Sequence, residues 1–291
     1  MRIFVRSQRT LIYTIEKQLL LKSQMSFFSN LFTKNKNAAS VRSISQLDFL
    51  EVDIHNHLLP GIDDGSTSVQ QSLGYIKELS NLGFKKFICT PHIMEGVHPN
   101  TKFSIGQAHN ALSEGLKNSG SDVEIFAAAE HMIDDGLHAL VESNDLCLMP
   151  GGYVLIEMSY LSESKALFQT ILNIQKLGYK PILAHPERYN YYHSNFNIYK
   201  QIKDAGCFLQ LNLLSLSRYY GVDVKAIAMT LVKSGMYDFV GTDLHHDKHL
   251  RSLKDIVEKY PVREMLKTCT ILNPTLLDHF NAGKGQHIIA G

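Results

Sequence analysis

The sequence predicts a single α/β domain built as a closed barrel of seven parallel strands. From residue 49 onward, short apolar runs alternate with stretches of helical period, and no linker interrupts the series. Several runs, such as 87–89 and 239–241, are apolar throughout, as in strands that are covered on both faces of a parallel sheet. Seven strand-and-helix units in one series favour one barrel over two domains.

The predicted elements follow one another along the chain. Strands are expected at residues 49–55, 85–90, 123–129, 152–158, 180–185, 207–212 and 237–242. Helices are expected at residues 69–82, 103–117, 162–177 and 222–234. The first helix places Leu73, Ile76 and Leu79 on one face, and Gly83 ends it just before the next strand.

The composition is that of a globular protein with a full hydrophobic core, because 44% of the residues are hydrophobic and 20% are charged. The net charge of +1 gives no reason to expect a nucleic-acid or membrane-surface partner. The cysteines form no Cys-x-x-Cys pair and indicate reduced thiols; they are Cys89, Cys147, Cys207 and Cys269. We therefore expect a cytoplasmic protein without a transmembrane segment.

Residues 1–48 differ from the rest of the chain. Basic residues are scattered among apolar ones, without the continuous apolar stretch and cleavage site of a signal peptide. A helix that lies on a membrane surface is one interpretation. We favour a poorly ordered leader, or a true start at Met25. The predicted domains are thus an N-terminal extension at 1–48 and the barrel at 49–291.

Metal-binding side chains collect at the carboxyl ends of five of the seven predicted strands, where barrel enzymes place their chemistry. They are His55 and His57 after the first strand, His92 after the second, Glu130 and His131 after the third, His185 after the fifth, and Asp243, His245 and His246 after the seventh. Imidazole and carboxylate ligands together suit Mn, Fe or Zn. One His-x-His pair alone indicates little, but five strand ends at one rim predict a metal centre.

The order of these motifs resembles the PHP (polymerase and histidinol phosphatase) superfamily. It runs His-x-His, Thr-Pro-His, Glu, Ala-His-Pro-Glu-Arg and Thr-Asp-x-His. The pattern Asp-Ile-His-x-His-Leu-Leu-Pro-Gly-x-Asp-Asp-Gly at residues 53–65, with Ala-His-Pro-Glu-Arg-Tyr at 184–189, is similar to the bacterial tyrosine phosphatases of that superfamily. The resemblance covers about residues 51–275. It implies a distorted seven-stranded (β/α)7 TIM-like barrel, the PHP fold, and a manganese-dependent enzyme found with capsule and exopolysaccharide genes.

The resemblance also implies two or three Mn²⁺ ions, with Fe or Zn as other choices, and their ligands. His55, His57, Glu130 and Asp243 would hold one ion, Glu130 and His185 a second, and Asp64, His92 and His245 a third. Which of Asp63 and Asp64 is the ligand stays open, and the other would orient His57 or a water. Glu187 is either a residue that supports the ligands or a surface glutamate.

Two phosphate-binding cations are implied as well. Arg188 belongs to the His-Pro-Glu-Arg motif, and a planar guanidinium suits phosphate because it donates two parallel hydrogen bonds. We expect the loss of Arg188 to leave the bound metal intact. Arg251 is the nearest second candidate, at a spacing that differs by about one residue from the family pattern. Lys248 and His246 are alternatives.

The predicted function is hydrolysis of protein phosphotyrosine by a metal-dependent phosphatase. The expected partner is the tyrosine-phosphorylated tail of a bacterial kinase that controls capsular or exopolysaccharide synthesis. No cysteine has an arginine six positions later, so the Cys-x5-Arg loop of thiol phosphatases is absent. Two alternatives stay open: a small-molecule phosphatase, such as a histidinol-phosphate phosphatase, and an inactive binding partner that the metals stabilise.

Overall fold

The computed structural model describes residues 47–276 and 278, in which parallel strands alternate with helices. The strands are β1 (Val52–Asp53), β2 (Lys86–Cys89), β3 (His92–Ile93), β4 (Glu124–Ala127), β5 (Glu130–Met132), β6 (Tyr153–Glu157), β7 (Lys180–Ala184), β8 (Phe208–Asn212) and β9 (Phe239–Gly241). Every paired strand runs parallel to its neighbour, in the orders β1-β2-β4 and β3-β5-β6-β7-β8-β9. The result is an α/β fold with a curled parallel sheet.

The helices connect successive strands, as parallel pairing requires. They are α1 (Val69–Leu82), α2 (Lys102–Asn118), α3 (Asp135–Glu142), α4 (Leu167–Lys176), α5 (Asn197–Asp204), α6 (Val222–Lys233), α7 (Asp247–Lys259) and α8 (Val262–Met265). α1 has the predicted bounds: Ser68 caps its start by accepting a hydrogen bond from the N–H of Gln71, and Gly83 follows its end at φ 121°. Among the described residues, no helix combines the length and apolar character needed to cross a membrane.

One predicted helix starts later than expected. The pattern predicts a helix from residue 162, but α4 begins at Leu167. The hydroxyl of Ser164 accepts a hydrogen bond from the N–H of Ala166 (3.3 Å), and that of Ser159 accepts one from the N–H of Leu161 (3.2 Å). Serine side chains that bind nearby backbone groups compete with helix formation, so residues 158–166 form a loop.

The predicted count of seven strands is not reproduced, because residues 47–276 contain nine strand segments in two sheets. The predicted strands at 85–90 and 123–129 contain β2 and β4, and the further short segments β3 and β5 follow just beyond their predicted ends. The break between β2 and β3 contains Pro91, which has no N–H to donate to the ladder. Its carbonyl still accepts a hydrogen bond from the N–H of Glu130 (3.0 Å), so the two neighbours stay side by side.

The first and last strands of the sheet are joined at both ends. Beyond β1 and β9, Asn56 pairs with Leu244 in a parallel bridge, and the N–H of Asp243 donates to the carbonyl of His55 (2.8 Å). At the other end, the side chain of Asn273 donates to the carbonyls of Val52 (2.9 Å) and Val240 (2.7 Å). These contacts bring the residues that follow β1 and β9 to the same rim.

Alternating residues along the strands supply two separate hydrophobic clusters. On β6, Leu155 belongs to the smaller cluster and Ile156 to the larger one, and on β7 Ile182 and Leu183 divide in the same way. Alternation follows from the pleat, which points successive side chains to opposite faces. Both faces of these strands are therefore buried, as the continuous apolar runs predict. The predicted extension, except for Leu47 and Asp48, lies outside the described residues.

Candidate metal centre

Four buried residues converge at the carboxyl ends of the strands. The potential ligand atoms of His55, Glu130, His185 and Asp243 all lie within 4.8 Å of one another. Nε2 of His55 lies 3.2 Å from Oε2 of Glu130 and 3.4 Å from Oδ1 of Asp243. Nε2 of His185 lies 3.0 Å from Oε1 of Glu130. The four residues come from four different chain segments, as the strand-end argument predicts.

A second group lies beside the first and is more open to solvent. It consists of His57, Asp64, His92 and His245, whose ligand atoms also lie within 4.8 Å of one another. Oδ1 of Asp64 is 3.6 Å from Nε2 of His92 and 3.5 Å from Nε2 of His245. The side chain of Asp64 is 60% exposed, whereas the ring of His57 is fully buried. The two groups therefore form a continuous set of donors that opens to solvent at Asp64.

A third group adds a residue that the sequence analysis did not select. His92, Glu130 and Glu157 have ligand atoms within 4.8 Å of one another. Nδ1 of His92 lies 2.9 Å from Oε1 of Glu157 and 3.2 Å from Oε2 of Glu130. Glu157 ends β6, a strand that was thought to bring no ligand. A carboxylate that closes an otherwise apolar strand was the signal available in the sequence.

The donor atoms of this third group suit a cation. Oε2 of Glu130, Oε1 of Glu157 and Nδ1 of His92 are buried and make no hydrogen bond with any described residue. Buried polar atoms normally have partners, because an unpaired one is costly. These three atoms nonetheless approach one another closely, and two of them are carboxylate oxygens. A divalent cation would satisfy all three, so the residues present fit a metal ion.

Asp63 and Asp64 have different positions. Oδ2 of Asp63 lies 2.7 Å from Nδ1 of His57 and accepts a hydrogen bond from the N–H of His92 (3.1 Å). With Nδ1 held in this way, Nε2 of His57 faces the cluster. Gly65 allows this turn, because a Cβ there would lie 2.2 Å from the carbonyl oxygen of His57. The structure thus places Asp64 in the cluster and Asp63 behind His57.

Two amide side chains from β8 orient members of the cluster, and the sequence analysis missed both. Oε1 of Gln210 lies 2.9 Å from Nδ1 of His55, and it also accepts a hydrogen bond from the N–H of His185 (3.3 Å). Nδ2 of Asn212 donates to Oδ2 of Asp243 (2.7 Å). A search for imidazoles and carboxylates passes over both residues, because their side chains are amides.

Two members of the cluster have unusual backbone conformations. His185 has φ 33° and Asp243 has φ 50°, in the left-handed region that non-glycine residues rarely adopt. Pro186 follows His185 and disfavours the ordinary helical conformation there. Such strain is maintained only where the surroundings impose it, and it concentrates at functional sites.

The carboxylates give the cluster a strong preference for positive charge. Burial alone would lower the pKa of His55, but Glu130 and Asp243 outweigh it and raise that pKa to about 9. Burial would raise the pKa of Glu130 and of Asp243, yet the neighbouring imidazole of His55 helps to hold both pKa values well below their usual range. The cluster therefore favours bound cations, whether protons or metal ions.

The pKa of His185 shifts in the opposite direction to that of His55. Burial, together with the positive charge of Arg188, lowers the pKa of His185 to about 4. Its ring is neutral at physiological pH and offers a lone pair.

Arg188 lies against the cluster. It ends the short turn Pro186–Arg188 after β7, and its Nη1 donates to Oδ2 of Asp243 (2.6 Å). The other oxygen of Asp243 faces His55, His57 and His245, each at 3.4 Å. The expectation that Arg188 can be removed without effect on the metal does not fit this contact, because Arg188 holds one oxygen of a candidate ligand.

Glu187 is not a surface residue. It is fully buried, and it accepts hydrogen bonds from the N–H of Asn212 (3.0 Å) and the hydroxyl of Tyr237 (2.9 Å). Burial raises its pKa to about 7. Because the side chain of Asn212 in turn donates to Asp243, Glu187 holds in place a residue that orients a candidate ligand.

The structure does not bring a second cation to the cluster. Arg251 is exposed on α7 and makes no hydrogen bond or ion pair within the described residues. Nζ of Lys248 lies 5.1 Å from the ring centroid of Tyr219. The ring of His246 accepts a hydrogen bond from the N–H of His249 (3.3 Å) and caps the start of α7.

Comparison with known proteins places this chain in a known family. The family model described as capsular polysaccharide synthesis, CpsB/CapC, matches residues 51–277. The tyrosine-protein phosphatase YwqE of Bacillus subtilis is 27% identical over 220 residues, which cover 72% of this chain and 84% of YwqE. The tyrosine-protein phosphatase CpsB of Streptococcus pneumoniae is 25% identical over 233 residues, which cover 77% of this chain and 96% of CpsB.

A solved structure agrees with these relatives. It comes from work on YwqE from Bacillus subtilis and CpsB from Streptococcus pneumoniae, described there as unique metal-dependent tyrosine phosphatases. It matches this chain with a TM-score of 0.64 and 25% identity, and covers 76% of this chain and 96% of that one. The family predicted from the order of motifs is confirmed. Because the family model covers well over half of the sequence, the chain belongs to the capsular polysaccharide synthesis CpsB/CapC family.

Proposed function

We propose that this protein is a metal-dependent phosphatase that hydrolyses protein phosphotyrosine. The observation that carries the proposal is a buried set of imidazoles and carboxylates, with unpaired donor atoms, directly beside Arg188. Metal ligands next to a guanidinium are the arrangement that phosphoryl transfer uses to bind and neutralise phosphate oxygens. The relatives named tyrosine-protein phosphatases support the same reaction.

Each candidate ligand has a proposed place. One ion would be held by His55, His57, Glu130 and Asp243, a second by Glu130 and His185, and a third by Asp64, His92 and His245. Glu157 would add a ligand beside His92 and Glu130, with which it forms a group. Nε2 of His57 supports its place in the first set, because it lies 3.4 Å from both Glu130 and Asp243. We propose Mn²⁺ as the metal, in two or three sites, with Fe or Zn as alternatives. Bound divalent cations would supply Lewis-acid chemistry and lower the pKa of a water.

The protein's own side chains would bind and orient the phosphate. Arg188 would donate hydrogen bonds to the phosphate oxygens and offset their charge. Glu187, Asn212 and Gln210 would keep the ligands in place through the hydrogen bonds described above. A tyrosine phenolate has a pKa of about 10 and leaves more readily than an alkoxide, so strong acid assistance is not required.

The substrate would be a flexible phosphotyrosine segment, because most of the candidate ligands are buried at the strand-end rim whereas Asp64 is 60% exposed. We propose the tyrosine-phosphorylated tail of a bacterial kinase that controls capsular or exopolysaccharide synthesis, acted on in the cytoplasm. The capsule-synthesis family supports this choice. We also propose that the nine strand segments are parts of one distorted seven-stranded barrel in a catalytic domain that begins at residue 49.

The decisive experiment compares two substrates. The full chain should release phosphate from a phosphotyrosine peptide at least tenfold faster than from histidinol phosphate, and only with Mn²⁺ present. His185→Ala should lose both metal and turnover. His109→Ala is a matched control, because the ring of His109 lies near the carbonyl of Ile125 (3.1 Å) and belongs to none of the three groups. A preference for histidinol phosphate would refute the tyrosine phosphatase assignment.

A further inference from the structure

The guanidinium of Arg188 lies between two tyrosine rings. Its central carbon is 4.5 Å from the ring centroid of Tyr160 and 4.2 Å from that of Tyr220. Both distances are within the range of about 6 Å over which a cation is attracted to an aromatic face. The side chain of Arg188 is only 18% exposed, and removal from water strengthens the attraction.

Tyr220 is held in place by the network that reaches the cluster. Its hydroxyl lies 3.2 Å from Nδ2 of Asn212, the same group that donates to Asp243. Its ring packs edge-on against Tyr219, at 4.9 Å between centroids. The position of the ring is therefore coupled to that of Asp243.

Tyr160 connects Arg188 to another candidate ligand. It lies in the loop after β6, and its hydroxyl is 3.3 Å from Nε2 of His185. Its ring also contacts the buried ring of Tyr189, at 5.8 Å between centroids. The residue is 41% exposed, so it lies where the cluster meets solvent.

The two rings leave Arg188 few directions in which to donate. Its only side-chain hydrogen bond to a described residue runs from Nη1 to Asp243. A guanidinium donates hydrogen bonds in its own plane, so two rings that lie against it and restrict its rotation also limit the directions in which its other N–H groups donate. A guanidinium whose plane is already fixed loses less side-chain entropy when it donates two hydrogen bonds to phosphate oxygens.

We propose that Tyr160 and Tyr220 are positioning residues that hold the guanidinium of Arg188 in the plane in which it binds phosphate. Both act through Arg188 and neither touches the transferred group. This inference rests on the proposed phosphatase function, because it assigns Arg188 to a phosphate. The inference adds a requirement to the proposed function: the aromatic rings of Tyr160 and Tyr220 are needed for phosphate binding, and their hydroxyls are not.

The test measures the binding of inorganic phosphate to the full, Mn²⁺-loaded chain by calorimetry, alongside kcat and KM on a phosphotyrosine peptide. Tyr160→Leu and Tyr220→Leu should each weaken phosphate binding about tenfold, with unchanged metal content. Tyr160→Phe keeps the ring and should stay within about twofold of the wild type. Tyr220→Phe also keeps the ring but loses the hydroxyl contact with Asn212, so it should lose less phosphate binding than Tyr220→Leu. Tyr260→Leu is the control, because it removes a ring that lies against a different cation, with Nζ of Lys225 at 4.7 Å from the ring centroid.

A double-mutant cycle tests whether the rings act through Arg188. Added to Arg188→Ala, either leucine substitution should weaken phosphate binding no further. Additive losses of phosphate affinity in the double variants would overturn the proposal. So would leucine variants that bind phosphate like the wild type. Phenylalanine variants that bind phosphate as weakly as the leucine variants would also overturn it. If the wild type binds phosphate but hydrolyses no phosphomonoester, the proposed function fails, while the binding cycle still decides the role of the rings.

Discussion

Nη1 of Arg188 lies 2.6 Å from Oδ2 of Asp243, so the proposed phosphate-binding arginine also restrains a candidate metal ligand. Asn212 donates to the same carboxylate oxygen at 2.7 Å, which leaves Oδ1 to face the histidines. The proposed binding of phosphate and that of metal would therefore be coupled through a single carboxylate. A change to Arg188 should affect both.

Arg188→Ala should lower kcat/KM on a phosphotyrosine peptide by about 10²–10³, because it removes a charge-assisted contact from a partly dehydrated site. It should also weaken Mn²⁺ binding about 10–100-fold, as the loss of a residue that orients a ligand does. Metal titration and steady-state kinetics measure the two effects. Arg218→Ala is the control, since Arg218 is exposed and lies outside the three groups of candidate ligands. Normal metal affinity in Arg188→Ala would show that Asn212 alone holds Asp243.

Glu157→Gln should remove one metal ion and most of the activity. The substitution keeps the shape of the side chain but removes the charge that completes the group with His92 and Glu130. Elemental analysis should find one equivalent of metal less than in the wild type. Glu163→Gln is the matched control, because Glu163 lies in the next loop and binds the hydroxyl of Tyr192 (3.1 Å). Full metal content in Glu157→Gln would exclude Glu157 as a ligand.

Gly65→Ala should disrupt the metal centre by displacing the backbone of His57. The added Cβ would lie 2.2 Å from the carbonyl oxygen of His57 and 2.4 Å from its Cβ, so the segment would have to move. We expect a loss of about 1–3 kcal/mol in the free energy of unfolding, together with weaker metal binding. Gly74→Ala is the contrasting control: its Cβ would meet no atom within 4 Å, and alanine in a helix should stabilise α1 by about 0.5–1 kcal/mol. Equal effects of the two substitutions on metal binding would contradict the role of Gly65.

Activity should depend on metal and not on thiols. Cys89, Cys147 and Cys207 are buried, and burial raises the pKa of Cys147 to about 12, so little reactive thiolate forms at neutral pH. EDTA should abolish turnover, added Mn²⁺ should restore it, and iodoacetamide should leave it almost unchanged. Activity that resists the chelator but is lost on alkylation would point to a different enzyme.

Much of the fold and the cluster could be predicted because the signals are local. The helical spacing in α1 and the glycine after it determine both ends of that helix. His55, His92, Glu130, His185 and Asp243 could be selected because parallel strands that start at one end of a sheet finish at one rim. Neither inference needs contacts between distant residues.

The residues that sequence reasoning missed depend on such contacts. Glu157 differs from a structural glutamate only by its position beside His92, a residue of another strand. Gln210 matters because its amide reaches His55 across the sheet. Whether Asp63 or Asp64 faces the cluster depends on how the turn that ends at Gly65 folds over His57. None of these relations leaves a periodic trace in the chain.

The bonds from Asn273 to Val52 and Val240 have a consequence for the order of folding. A chain emerging from the ribosome makes its first strand long before the residue that joins this strand to the last one. Other contacts that join the first and last strands come from Asp243 and Leu244, so these contacts too are made late. Until these residues have been made, the sheet keeps open edges, and open edges pair readily with other chains. Newly made protein should therefore need protection from aggregation until late in synthesis, and a chain that stops before Asp243 should aggregate instead of yielding a less active enzyme.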